Sequence, residues 1–115
     1  MPAVSYNDSL KKLVDENPEM GQQMLEGAVN ALFQGEIDEG RILLRQYINA
    51  TLGFAELGRR LDKDPKNIMR SLGPKGNPTL TNLMAMIQAC ASAQKMEIQA
   101  HVVPKKRSKN HPAPA

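Results

Sequence analysis

Apolar residues recur at spacings of three and four through the first half of the chain and again from residue 80, the mark of helices with one buried face. Leu10, Leu13 and Val14 predict a short first helix, with Asp8 or Ser9 as its cap. Asn17-Pro18 closes it, because proline suits the first turn of a new helix and disrupts the interior of an old one. The next helix carries Met20, Met24, Leu25, Ala28, Val29, Leu32 and Phe33 and stops at Gly35. A third runs from about Glu36 to Ala50 with Ile37, Leu44, Tyr47 and Ile48 on one side, until Thr51-Leu52-Gly53 breaks the pattern.

The elements then shorten. FAELGRRL predicts one helix from Phe54 to Leu61, with Leu57 and Leu61 inward, and Asp62-Lys63-Asp64 reads as a tight turn. Asp64 caps another short helix with Pro65 at its first position, where a missing N–H costs nothing. After Leu72 comes GPKGNP, a run made of turn residues. Thr79 then caps a last helix whose inner face is Leu80, Leu83, Ile87, Cys90 and Ala91. Residues 96–103, MEIQAHVV, change to period two, which predicts a single strand that pairs with a partner copy or stays an extended arm. Residues 104–115 have no apolar period and are expected to be disordered.

The predicted architecture is therefore all-α, five to six helices with a short C-terminal β-strand. It divides into a helical extension (1–35), a central unit (36–95), the strand (96–103) and a basic tail (104–115). At 115 residues the chain supports one modest core, and 41% apolar content is enough to build it.

Charge sharpens the picture more than composition does. Residues 1–54 hold four basic and eight acidic side chains, whereas residues 55–80 hold six basic and three acidic. The tail contributes Lys105, Lys106, Arg107 and Lys109, so the whole-chain charge of +3 says little. The local excess on the short-helix segment is more telling, because it falls on one structural unit.

Two short helices joined by a three-residue turn form a helix-turn-helix unit. Such a unit needs a small residue where its helices cross, and Gly58 supplies it. Ten positions later it needs a branched apolar anchor, which is Ile68, with Leu72 one turn on. The turn often needs a residue with positive φ four after the small one, usually glycine; Asp62 stands there, a departure, although aspartate tolerates that region better than most residues. With Ile68 and Leu72 inward, Lys66 and Arg70 project together from the opposite side, flanked by Asn67 and Met69. Arginine and lysine suit guanine edges in a major groove, and asparagine suits adenine. The glycine-rich loop brings backbone amides, Lys75 and Asn77 near phosphates, and the Thr79 end of the last helix adds to them.

The run FAELGRRLDKDPKNIMRSLGPKGNPTLTNLMAMIQACA resembles the Cro/lambda-repressor-like helix-turn-helix proteins. Within these, PKNIMRSLGPKGNPT is similar to the antitoxins of the HigA type, partners of RelE-superfamily ribonuclease toxins. The resemblance covers roughly residues 40–103. It implies a homodimer on a palindromic double-stranded operator, repressing its own toxin–antitoxin operon. It places the recognition positions on Pro65, Lys66, Asn67 and Arg70. Relatives outside this subgroup often carry a hydrogen-bonding side chain where this chain has Pro65.

Other chemistries are disfavoured. Four aromatic residues, Tyr6, Phe33, Tyr47 and Phe54, are too few for a base-stacking platform. GPKG lacks the GxxxxGK[ST] spacing of a nucleotide-binding loop. Cys90 is alone in an apolar pattern, and His101 and His111 have no carboxylate or cysteine cluster beside them. No catalytic residue, metal site or cofactor is expected, nor a membrane span, and the expected location is cytoplasmic. Two alternatives stay open: a stand-alone regulator with no toxin, and a protein-interaction module that keeps the fold without reading DNA.

Overall fold

The computed structural model describes residues 6–105, and within them the chain is helical: α1 (Tyr6–Glu16), α2 (Pro18–Phe33), α3 (Ile37–Ala50), α4 (Gly53–Leu61), α5 (Pro65–Ser71) and α6 (Leu80–Ala93). The two longest neighbours, α2 and α3, pack antiparallel across the Gln34–Glu36 corner. Gly35 makes that corner with φ +85°, a conformation that glycine adopts without Cβ strain. Gly40 lets the two helices approach, since a Cβ there would sit 2.6 Å from Leu32 Cγ.

One core joins α2 to α6. Leu25, Ala28 and Val29 of α2 meet Leu44, Tyr47 and Ile48 of α3, and the same cluster takes in Phe54, Leu57, Ile68, Leu72, Ile87 and Cys90. A smaller cluster of Leu10, Val14 and Ala50 seats α1 against the end of α3. Lys11 reaches over it and donates to the Thr51 carbonyl at 2.7 Å. The short helices α4 and α5 thus rest on a layer built by longer ones. That matters because a seven-residue helix is not stable in water by itself.

Several expectations need correction. Helix α1 begins before Asp8 and Ser9, so neither is its cap. Leu13, Phe33 and Ile37 follow the helical period but are exposed. They lie at helix ends or on outer faces that no second element covers among the described residues. Leu80 is 74% exposed: it shares a face with Ile87, but two turns earlier, past the edge of the core.

The predicted strand is absent among the described residues. From residue 96 to Lys105 the chain has no regular secondary structure, and the last backbone hydrogen bond among the described residues runs from the Met96 N–H to the Ala91 carbonyl at 2.8 Å. Period two is satisfied here without a ladder. Met96 and Ile98 turn into the main core while Glu97 and Gln99 face out, so one-sided packing on helices imposes the alternation. Beyond Gln99 the alternation stops and every residue to Lys105 is exposed. The basic tail beyond Lys105 lies outside the described residues. No helix among those described is long and apolar enough to cross a membrane.

Candidate nucleic-acid interface

The end of α4 sets the geometry of the short-helix pair. Asp62 takes a left-handed conformation, φ 53° and ψ 49°, and directs the chain out of the helix. The Lys63 N–H then donates back to the Gly58 carbonyl at 2.9 Å, closing the orphan end of α4. Asp64 turns the chain again, its carboxylate accepting from the Lys66 N–H at 2.9 Å as the cap of α5. Gly58 is buried at the crossing: a Cβ on it would stand 2.6 Å from the Lys63 carbonyl oxygen and 2.9 Å from Pro65 Cγ. Turn and crossing therefore fix one angle between α4 and α5.

That angle sorts the residues of α5. Ile68 enters the core with Leu72 just beyond it, beside Phe54 and Leu57. Lys66, Asn67, Met69 and Arg70 are left on the outside. Arg70 Nη1 donates to Asn67 Oδ1 at 3.4 Å, a long bond that leaves most of the guanidinium open. Pro65 is half-buried with its ring turned to Gly58, so it serves the crossing and has no polar group to offer a base.

The loop after α5 folds back on that helix. Its Gly76 N–H donates to the Gly73 carbonyl at 2.9 Å, and a Cβ at Gly76 would overlap the carbonyl oxygens of Arg70 and Ser71. Lys75 and Asn77 stand exposed on its outer side. Thr79 Oγ1 accepts from the Asn82 N–H at 3.1 Å, which commits that oxygen to capping α6. Asn82 Oδ1 in turn accepts from Lys63 Nζ at 2.7 Å, tying the turn before α5 to the helix after it.

Charge is unevenly compensated across this surface. Glu56 takes two bonds from Arg59 and one from Arg60, and its carboxyl is held below the usual range, chiefly by the Arg59 hydrogen bond. The side chains of Lys66 and Lys75 make no hydrogen bond or ion pair among the described residues. With Arg70 they form an exposed basic set carried by α5 and its loop.

One contributor carries no helix-turn-helix signature. Arg41 of α3 reaches the loop from behind, and its side chain is only 11% exposed. Its Nη1 donates to the Gly73 carbonyl at 3.1 Å and also to the Gly76 carbonyl, while Nη2 pairs with Asp38. An arginine inside the apolar spacing of α3, three after an aspartate, was visible; which carbonyls it meets was not.

Cys90 is buried, and burial pushes its thiol up to about 12. Tyr47 is likewise buried, its phenol pushed up to about 12 by the same cause. No group of His, Cys, Asp and Glu able to hold a metal is found among the described residues. No protein-family model, curated protein or solved structure matches the chain.

Proposed function

We propose that α4 and α5 are a helix-turn-helix, and that the chain binds double-stranded DNA through α5 and the loop that follows it. The observation that carries this reading is the combination at α5: a capped short helix with Ile68 inward and Lys66, Asn67 and Arg70 outward. In such a reading Lys66, Asn67 and Arg70 face base edges, Lys75 and Asn77 face phosphates, and Thr79 orients the start of α6. The chain acts as a homodimer on a palindromic operator and represses transcription. Its resemblance to antitoxins makes a RelE-superfamily toxin the proposed second partner and the operon of the two its target.

A second reading has its own support. Phe33 is 70% exposed and Ile37 half-exposed at the corner between α2 and α3, beside Glu36, Asp38 and Glu39. An apolar patch with an acidic surround fits a basic protein partner, whether that partner is a toxin or the chain is an interaction module alone.

The test is titration into heterogeneous duplex DNA at several salt concentrations. Proposed binding gives an affinity that falls linearly in log–log form, with a slope near −0.9 for each phosphate contact. Binding that is absent, or insensitive to salt, favours the interaction module.

A further inference from the structure

We infer that Arg41, from outside the helix-turn-helix segment, is a positioning residue that sets the phosphate-facing loop; the inference rests on the DNA-binding reading above. The two carbonyls it holds, those of Gly73 and Gly76, bracket Pro74 and Lys75 at the tip of the loop. A guanidinium can grip two acceptors at once because its donors are fixed in one plane, and Asp38 fixes the plane from the other side. Gly73 is buried and Gly76 half-buried, whereas Pro74 and Lys75 are exposed. The gripped residues therefore form the seat of the loop and the free ones its tip.

The clamp has a direct consequence for Lys75. A lysine on a mobile loop meets phosphate at the expense of ordering the loop and its own side chain. With the loop held at both ends, only the lysine side chain has to be ordered. Arg41 itself is enclosed and acts through the loop.

The test pairs Arg41→Met, which keeps the stem and removes the fork, with Lys75→Ala and with the double variant. All are titrated against heterogeneous duplex DNA across a salt series. Arg41→Met is expected to weaken binding several-fold and to lower the salt slope by about one unit, as Lys75→Ala does. The double variant is expected to be no weaker than the weaker single one, because both changes disable the same contact. Arg41→Lys, reaching one carbonyl, restores part of the slope. Amide exchange supplies a readout independent of DNA: the Gly76 N–H exchanges at least about tenfold faster in Arg41→Met, while core amides of α6 are unchanged. A general loss of structure would speed exchange everywhere and leave the slope per bound protein unaltered. Normal slope in Arg41→Met, or losses that add in the double variant, overturn the inference while DNA binding stands. Failure of the wild-type chain to bind DNA overturns the reading beneath it.

Discussion

Gly58 lies directly under the ring of Pro65, so close that a Cβ at Gly58 would come within 2.9 Å of Pro65 Cγ. The same Cβ would meet the Lys63 carbonyl oxygen at 2.6 Å, and backbone cannot give way as a flexible side chain can. Gly58→Ala is therefore expected to destabilise the chain by about 1–3 kcal/mol, the usual effect of forcing a methyl into a filled space. Gly27→Ala is the control, because nothing stands within 4 Å of its Cβ. In the middle of α2 it should stabilise by roughly 0.5–1 kcal/mol through helix propensity. Urea denaturation of the two variants should move in opposite directions.

Asp62 holds the left-handed turn that separates α4 from α5. A β-branched residue tolerates that conformation poorly, so Asp62→Val should lose at least about 1 kcal/mol. Asp62→Gly, free of Cβ strain, should match or exceed the parent. Thermal melts of the pair check this.

The three-residue turn, the Asp64 cap of α5, the Thr79 cap of α6 and the inward set of Leu57, Ile68 and Leu72 were legible in the sequence. Each of these rests on local chemistry: a left-handed residue, a side-chain oxygen before a helix, a three- or four-residue spacing. What was not legible depends on distant parts of the chain. Leu80 keeps its period but overshoots the core, and Met96 and Ile98 alternate with their neighbours by packing on helices. Arg41 finds its two carbonyls more than thirty residues away. Periodicity reports that a face is buried; it does not name what buries it.

Burial of Tyr47 and Cys90 raises both acid groups, so the folded chain holds those protons more tightly than the unfolded chain does. Their contribution to stability is complete below the unfolded values, near 9 for the thiol and near 10 for the phenol. It is lost as pH rises toward about 12, where the folded groups titrate. The melting temperature should fall steadily across that alkaline range. At neutral pH the Cys90 thiol should react with a thiol reagent only when denaturant is added.

Variants of Arg70 and Lys75 test the proposed division between base reading and phosphate contact. On a specific site Arg70→Ala should cost about 1–3 kcal/mol and relax the preference at one base position. Lys75→Ala should weaken all sequences alike and reduce the salt slope by about one unit. An equal, sequence-blind loss from both would put Arg70 on phosphate.

Sequence reading by the outer face of α5 is the central claim, and selection of bound fragments from a sheared genomic pool tests it most directly. The wild-type chain is predicted to enrich a palindrome that Lys66→Ala/Arg70→Ala no longer selects, although the double variant remains folded. Its half-sites should lie about one helical turn apart, as a symmetric pair of recognition helices requires. No enrichment, or the same enrichment by the double variant, would contradict the account and leave α4 and α5 as scaffold.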